Sequence, residues 1–200
     1  VAKSFQKGQT AETFNEAFSR LPILYKDSLV PLELISKIQY FKKTPPMLYI
    51  EINRMRDIDS YMRDLNFKGK VPYSSIKAID SANLFRLKEL INNHGIITER
   101  DYGALFHSFF YVLIHCAMYN YTDYEWFRKL MYPKVLQGDI DPNLYAYYVD
   151  RFETLNKRPQ IYGSMINNVP VKEWKKTDEK RKEIGACNLW NWKLLRRGKF

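Results

Sequence analysis

Four polar residues interrupt apolar helix faces in the middle of the sequence, and their types suit acid–base chemistry. Asp59 falls on the apolar stripe of the segment after Pro46, and Asp80 and Asn83 fall on the stripe of the next segment. His115 lies in a segment that is apolar nearly all round. An ionised group buried alone costs several kcal/mol, so such residues must pair or line a recess that water reaches. We therefore predict one shared polar pocket.

Arginines close to these positions supply partners for the carboxylates. Arg63 follows Asp59 by four residues, which places both side chains on one helix face. Arg151 lies on the apolar side of a later helix. We expect His115 to carry protons, with Asp59 or Asp80 orienting it. Arg63 or Arg151 is then expected to bind the anionic group of a small ligand. The predicted catalytic residues are thus His115, Asp59 and Asp80.

Other reaction types have weaker support. Cys116 directly follows His115, so the two side chains point about 100° apart on a helix and make a poor dyad. Ser164 lacks the strand–turn–helix context of a nucleophilic serine. The sequence contains no P-loop, no dinucleotide-binding glycine motif and no zinc-spaced Cys/His cluster, so we predict neither a metal nor a cofactor. The open alternative is a non-catalytic protein–protein interaction module, partner unknown, whose polar core is only structural.

Composition is that of an ordinary globular protein. Of the 200 residues, 46% are hydrophobic and 27% charged, which excludes disordered and collagen-like chains. Two cysteines are too few for a disulfide scaffold. The longest apolar run, 104–119, is shorter than the roughly 20 residues of a membrane span, so no membrane span is expected. This run predicts a buried core helix.

Three- and four-residue apolar spacing recurs along the chain and predicts a single all-α domain, 1–200. We divide it into N-terminal packing helices (1–45), a core (46–165) and a basic tail (171–200). The expected helices are 11–21, 31–42, 46–65, 75–94, 102–119, 122–137 and 142–156. Thr122 and Glu125 have the spacing of a capping box, and Asp141 with Pro142 is a typical helix start. The following loop, 158–169, is expected to be irregular and to cover the pocket.

The basic tail raises the question of a nucleic-acid partner. The chain has a formal net charge of +10, and Lys and Arg are concentrated in 171–200 among tryptophans. No nucleic-acid recognition motif accompanies this charge, so nucleic acid is not the expected partner. We expect a solvated amphipathic tail that docks through Trp190 and Leu194, with Trp174 also on the docking side.

Five short motifs occur in an order and spacing that resemble a bacterial domain family of unknown function. In this sequence they are Asp59-x-x-x-Arg63, Asp80-x-x-Asn83, His115, Asp150-Arg151 and Gln160-x-Tyr162-Gly163. The family pattern is D-Q-x-x-R, D-x-x-N, H, D-R and Q-x-Y-G-T, and the resemblance covers about residues 52–185. Ser60 and Ser164 stand where the family has Gln and Thr.

The resemblance implies a helical fold and a polar centre, but no reaction. It implies a ligand-binding set of Arg63, Asn83, Asp150, Arg151, Gln160 and Tyr162. Helical periodicity by itself places Asp150 on the polar side of its helix. The resemblance also implies a bacterial source. With two unpaired cysteines and Val1 as first residue, we expect either a cytoplasmic protein or an exported one whose leader has been removed.

Overall fold

The computed structural model describes residues 45–165, 171 and 173–196. Within these residues the chain forms eight helices, and the one β-type pairing there is an isolated parallel bridge between Gln160 and Val171. The all-α prediction is confirmed. The predicted helices 11–21 and 31–42 lie outside the described residues. None of the described helices has both the length and the apolar character that crossing a membrane requires.

Most helix boundaries agree with the predicted ones to within a few residues. The helices are α1 (Pro46–Phe67), α2 (Tyr73–His94), α3 (Glu99–Tyr102), α4 (Ala104–Cys116), α5 (Tyr121–Leu136), α6 (Pro142–Leu155), α7 (Trp174–Glu183) and α8 (Leu189–Arg196). Pro142 stands in the first turn of α6, where a missing N–H costs nothing. Asp141 caps this helix by accepting the Asn143 backbone N–H at 2.8 Å, as predicted.

The predicted helix 102–119 is divided at Gly103. This glycine has φ 52° and ψ −127°, a conformation that residues with a side chain rarely adopt. The chain therefore turns there between α3 and α4, so the predicted helix begins two residues late and ends three residues early, as α4. Because α4 ends at Cys116, Tyr119 lies in the connection to α5.

The start of α5 also differs from the prediction. Asn120 is the N-cap, because its side-chain oxygen accepts the Asp123 backbone N–H at 2.8 Å. The capping box predicted at Thr122 and Glu125 is therefore wrong. Glu125 instead pairs with Arg128 at 2.6 Å, on the outside of the same helix.

Three helices, α1, α2 and α4, pack together and position the candidate site. Side-chain contacts at both ends of each helix–helix interface show that α2 runs antiparallel to α1 and that α4 runs parallel to α1. These contacts are Arg86–Glu51 and Arg63–Asp80 between α2 and α1, and Arg56–Ser108 and His115–Asp59 between α4 and α1.

The apolar core surrounds α4. Phe106, Phe109 and Leu113 of this helix are fully buried and pack with Phe127 of α5 and Tyr148 of α6. Fully burying one apolar side chain of this size stabilises a fold by roughly 1.5–3 kcal/mol. The core helix predicted from the apolar run is thus the central element, and His115 lies in its last turn.

The described part of the basic tail forms two helices, α7 and α8, that contact the body. The Trp192 indole N–H donates to the Ser164 carbonyl at 3.0 Å. Trp190 is 70% exposed, so the predicted docking through Trp190 is wrong and Trp192 takes that role. The side chains of Trp174 and Leu194 lie outside the described part of the chain.

Candidate functional site

Four predicted site residues meet between α1, α2 and α4, where Tyr119 joins them. Arg63 donates from Nε to Asp59 Oδ2 and from Nη2 to Asp59 Oδ1, both at 3.0 Å. Its Nη2 also donates to Asp80 Oδ1, and the Tyr119 hydroxyl donates to Asp80 Oδ2. One guanidinium thus bridges two carboxylates from neighbouring helices. We call Asp59, Arg63, Asp80, His115 and Tyr119 the carboxylate cluster.

His115 joins the cluster through Asp59. Its Nδ1 lies 2.7 Å from Asp59 Oδ2. Arg63 Nε, which carries a single proton, lies 3.0 Å from Asp59 Oδ2 and 3.1 Å from His115 Nδ1. An ionised carboxylate only accepts hydrogen bonds, so Asp59 and a deprotonated Nδ1 would be two acceptors repelling each other at 2.7 Å. We therefore assign the imidazole proton to Nδ1, which donates to Asp59. The lone pair of the neutral ring then lies on Nε2, for which the described residues provide no partner. The Tyr111 ring packs edge-on against the imidazole, with ring centroids 4.5 Å apart.

The cluster is buried on one side and open on the other. Asp59 and Asp80 are fully enclosed, whereas 13% of the His115 side chain and 27% of the Arg63 side chain are exposed. Tyr119 is about half exposed and also hydrogen-bonds to Tyr73. Solvent therefore reaches the imidazole, the guanidinium and the phenol, but not the two carboxylates.

The two carboxyl groups have pKa values that differ from the ordinary value of 3.8 in opposite directions. Burial raises the pKa of Asp59, but hydrogen bonds from His115 and Arg63 outweigh burial and lower it. Burial also raises the pKa of Asp80, and there hydrogen bonding by Tyr119 and the charge of Arg63 do not compensate. Asp59 is thus the better-stabilised anion, and Asp80 keeps its proton to a higher pH.

Asn83 lies one turn after Asp80 on α2 and is 8% exposed. Its side-chain Nδ2 is buried without a hydrogen-bond partner among the described residues. A buried donor left unpaired costs about 1–3 kcal/mol. Asn83 thus lies one helical turn from Asp80, and its amide nitrogen is not hydrogen-bonded to the carboxylate cluster.

Arg151 does not contact the carboxylates. Its Nε donates to the Ile114 carbonyl at 2.9 Å and its Nη1 lies 3.5 Å from the Tyr147 hydroxyl. Ile114 directly precedes His115, so Arg151 holds the end of α4 that carries the imidazole. The expected meeting of Arg151 with Asp59 and Asp80 is wrong.

Asp150, Gln160 and Tyr162 form a second, separate network. Asp150 is fully buried and accepts the backbone N–H groups of Ile161, Tyr162 and Ser164 at 2.7, 2.9 and 2.7 Å, together with the Ser164 hydroxyl at 2.8 Å. Gln160 Oε1 accepts the Met165 N–H at 2.8 Å. We call Asp150, the backbone of 161–164 and Arg181 the loop clamp.

Arg181 of α7 holds the same loop from the other side. It is fully buried, and its guanidinium donates to the carbonyls of Tyr162 and Cys187 and, at 2.7 Å, to Asn143 Oδ1. Gly163 has φ 62°, a left-handed conformation that favours glycine, and it packs against the methyl groups of Leu189 at the start of α8. The loop clamp therefore ties the tail helices to α6.

The loop clamp corrects two predictions. The loop predicted to cover the pocket is bonded to Asp150, Arg181 and Trp192 instead of to the carboxylate cluster. Asp150 is buried, although helical periodicity placed it on the polar face. Burial raises its pKa, which the three N–H donors of the loop and the Ser164 hydroxyl only partly offset.

Sequence reasoning missed two residues of these networks. Tyr119 follows His115 by four residues, and that spacing is its one signal in the sequence. Arg181 falls within the tail that we expect to be solvated. Thr177, Arg181 and Ile184 are all buried and spaced by four and three residues, but two of them are polar, so the sequence shows no apolar stripe on this face.

Two further features of the described residues bear on ligands. They contain no group of three or more His, Cys, Asp or Glu placed to hold a metal ion. A cleft of about 290 Å³ beside α7 is lined by Ile161, Glu173, Lys176, Thr177 and Lys180. The cleft shares no lining residue with the carboxylate cluster.

Comparison with protein-family models, with curated proteins and with solved structures finds no match for this chain. The domain-family resemblance therefore stays a prediction, and the function must be argued from the geometry of the site.

Proposed function

We propose that the carboxylate cluster carries out metal-free acid–base chemistry on a small polar ligand, with His115 as the proton carrier. The observation that supports this most strongly is the 2.7 Å contact between His115 Nδ1 and Asp59 Oδ2. A carboxylate in this position fixes the tautomer and orientation of the ring and stabilises the imidazolium that forms when Nε2 accepts a proton. Nε2 is the ring nitrogen left for the ligand.

Arg63 supports this role by holding Asp59 rigidly. The guanidinium contacts both oxygens of Asp59 in a bidentate pair, which fixes the plane of the carboxylate. The oxygen that faces the imidazole therefore cannot rotate away. Arg63 is in this respect a positioning residue for His115.

Asp80 and Tyr119 supply a second proton-handling pair. Pairs of titratable groups whose surroundings move their pKa values apart are typical of sites that use one group as base and another as acid. Here the pKa of Asp59 is lowered and that of Asp80 raised. In our proposal Asp59 stays ionised as the orienting group, and Asp80 holds Tyr119, whose half-exposed hydroxyl faces an incoming ligand.

The open side of the cluster favours a ligand with an anionic or strongly accepting group. Nε and Nη2 of Arg63 are occupied by the two carboxylates, while Nη1 has no partner among the described residues and the side chain is partly exposed. Nη1 can donate two hydrogen bonds to such a group. A ligand held there would lie beside the imidazole, since Arg63 Nε is 3.1 Å from His115 Nδ1.

The proposal is tested on the imidazole itself and then on turnover. Long-range ¹⁵N–¹H correlation spectra should show the His115 proton on Nδ1, and the Asp59→Asn variant should disturb that tautomer. Diethyl pyrocarbonate should modify His115 in the folded protein. On a panel of aryl esters, aryl phosphates and anilides, any turnover should fall by roughly 10² to 10⁴ in His115→Gln.

His107→Gln is the matched control. His107 is on the same helix, exposed, and 3.6 Å from Glu99, so its replacement should leave turnover unchanged. Turnover retained by a stable His115→Gln protein would exclude His115 as the proton carrier. So would a His115 that stays unmodified while His107 reacts fully.

The alternative is a structural polar core in a protein–protein interaction module. One observation favours it, because each carboxylate oxygen of Asp59 and Asp80 already accepts a hydrogen bond without any ligand. In that case His115→Gln should lower the melting temperature strongly, and His115 should be inert to the reagent.

A further inference from the structure

Helix α1 has apolar side chains on two different faces. Leu48, Ile52 and Met55 form the buried face toward α2 and α4. A second stripe lies about 120° around the helix, at 100° per residue. It consists of Met47, Ile50, Ile58, Tyr61 and Leu65, and the first four of these are between 40% and 62% exposed.

This second stripe is too long to be incidental. It extends over about 27 Å of helix, at 1.5 Å per residue. A helix that is apolar on two faces is normally covered on both, and large exposed apolar stripes mark contact surfaces. The described residues cover only one of the two faces.

We propose that residues 31–42 of the same chain form a helix that docks on this stripe. The chain has 44 residues before Pro45, and they lead directly into α1. The sequence of 31–42 predicts an amphipathic helix whose apolar face is Leu34, Ile35, Ile38 and Phe41. This face is apolar and could therefore cover the apolar side chains of the stripe.

The short connection determines how the two helices would meet. Only residues 43–45 separate the predicted helix from Pro46. Connections of this length join antiparallel neighbours in helical proteins. Residues whose numbers sum to about 88 then face each other, which places Ile38 opposite Ile50.

Arg54 is exposed and interrupts the apolar stripe of α1. A long arginine side chain can lie along a docked helix while its guanidinium stays in water, so the stripe can be covered without burying this charge.

The experiment is cysteine cross-linking in the full chain. The Ile38→Cys/Ile50→Cys variant should form a disulfide within one chain under mild oxidation. Ile38→Cys/Leu136→Cys is the matched control, since Leu136 is exposed to a similar degree on α5, and it should not link. Site-resolved mass spectrometry separates these bonds from the native Cys116 and Cys187.

Single-cysteine variants test the same contact without requiring that the double-cysteine variants fold. Ile50→Cys should react with iodoacetamide about tenfold more slowly than Leu136→Cys, because reagent would reach it only when the segment opens. Equal labelling rates would overturn the proposal. So would a disulfide found only between two chains, or protection that depends on protein concentration, since either would make a second copy the occupant.

Discussion

The carboxylate cluster and the loop clamp are built from the same residue types and differ in their partners. Both bury acidic groups and place an arginine beside them. In the loop clamp, Asp150 is satisfied by the backbone of one loop and Arg181 by carbonyls and an amide. In the carboxylate cluster the charges pair with one another, and three of the five side chains reach solvent.

This difference separates a structural network from one that can bind a ligand. Backbone partners hold a group in one place, and no donor or acceptor of Asp150 is left for another molecule. Side chains that pair with one another at an open edge can exchange a partner for a ligand or a proton. Both networks contain buried aspartate and arginine, and what distinguishes them is whether these groups pair with backbone or with other side chains.

The largest expected loss of stability comes from removing the acceptor at the centre of the loop clamp. Asp150→Ala leaves three backbone N–H groups and the Ser164 hydroxyl without their acceptor, and should cost about 3–5 kcal/mol in urea denaturation. Asp57→Ala, at an exposed position, should change the free energy of unfolding by less than about 0.5 kcal/mol. If the two variants are equally stable, the loop clamp is not structural.

The next prediction uses the opposite pKa directions within the carboxylate cluster. The folded pKa of Asp59 lies below its ordinary value, so its stabilisation is present above that value and is lost as pH falls through the folded pKa. The folded pKa of Asp80 lies above it, so its stabilising contribution is present in acid and is lost as pH rises through the folded pKa.

Replacing each aspartate by asparagine tests these two opposite pH dependences of stability. Asp59→Asn should cost about 1–3 kcal/mol at neutral pH and less in acid, because it removes hydrogen bonds to an ionised group. For Asp80→Asn the cost should be greatest in acid and shrink toward neutral pH. Urea denaturation across the acid range checks both trends. Parallel pH profiles for the two variants would contradict the assignment of Asp59 as anion and Asp80 as proton holder.

Much of the carboxylate cluster was predictable because its residues interrupt apolar stripes. Asp59, Asp80 and His115 each break a local pattern, and local patterns can be read from sequence. Asp150 could not be found this way, since its donors come from a loop 11 to 14 residues later in the chain. Asp150 is predicted as a site residue from the family resemblance alone.

The differences between predicted and observed helix ends also have local causes. The turn at Gly103 lies one residue inside the predicted start of its helix, and a hydrophobic pattern locates a helix end only to within a few residues. At α5, Asn120 and Thr122 are both good N-caps, and their intrinsic preferences are too similar to decide between them. Arg181 was hidden among the lysines of the tail, although its burial makes it a central residue of the loop clamp.

A smaller effect tests how the tail is held to the loop clamp. Trp192 donates to the Ser164 carbonyl, and the Arg181 guanidinium lies 5.6 Å from its ring. Trp192→Phe should cost about 1–2 kcal/mol, from the lost hydrogen bond and the weaker cation–π contact. Trp190→Phe should have no measurable effect, since Trp190 is exposed. Thermal unfolding of both variants tests this prediction. Equal decreases in melting temperature would show that α8 docks by a different face.

The smallest expected effect has the opposite sign and concerns Asn83. Leucine has the branched shape of asparagine, with methyl groups in place of the amide, and needs no hydrogen-bond partner, so Asn83→Leu at this partly open edge should raise the stability by about 1 kcal/mol. Asn53→Leu is the control. Asn53 donates to the Tyr49 carbonyl and accepts from Ser108, both at 2.9 Å, so its loss should destabilise the protein.

A stabilising Asn83→Leu would mean that the protein keeps a costly amide next to the carboxylate cluster, as proteins do where a site needs a donor for its ligand. If Asn83→Leu instead destabilises as much as Asn53→Leu, the amide is paired in solution and belongs to a closed structural network. The carboxylate cluster would then resemble the loop clamp, and the contrast between the two regions would rest on the exposed edge of Arg63 and His115 alone.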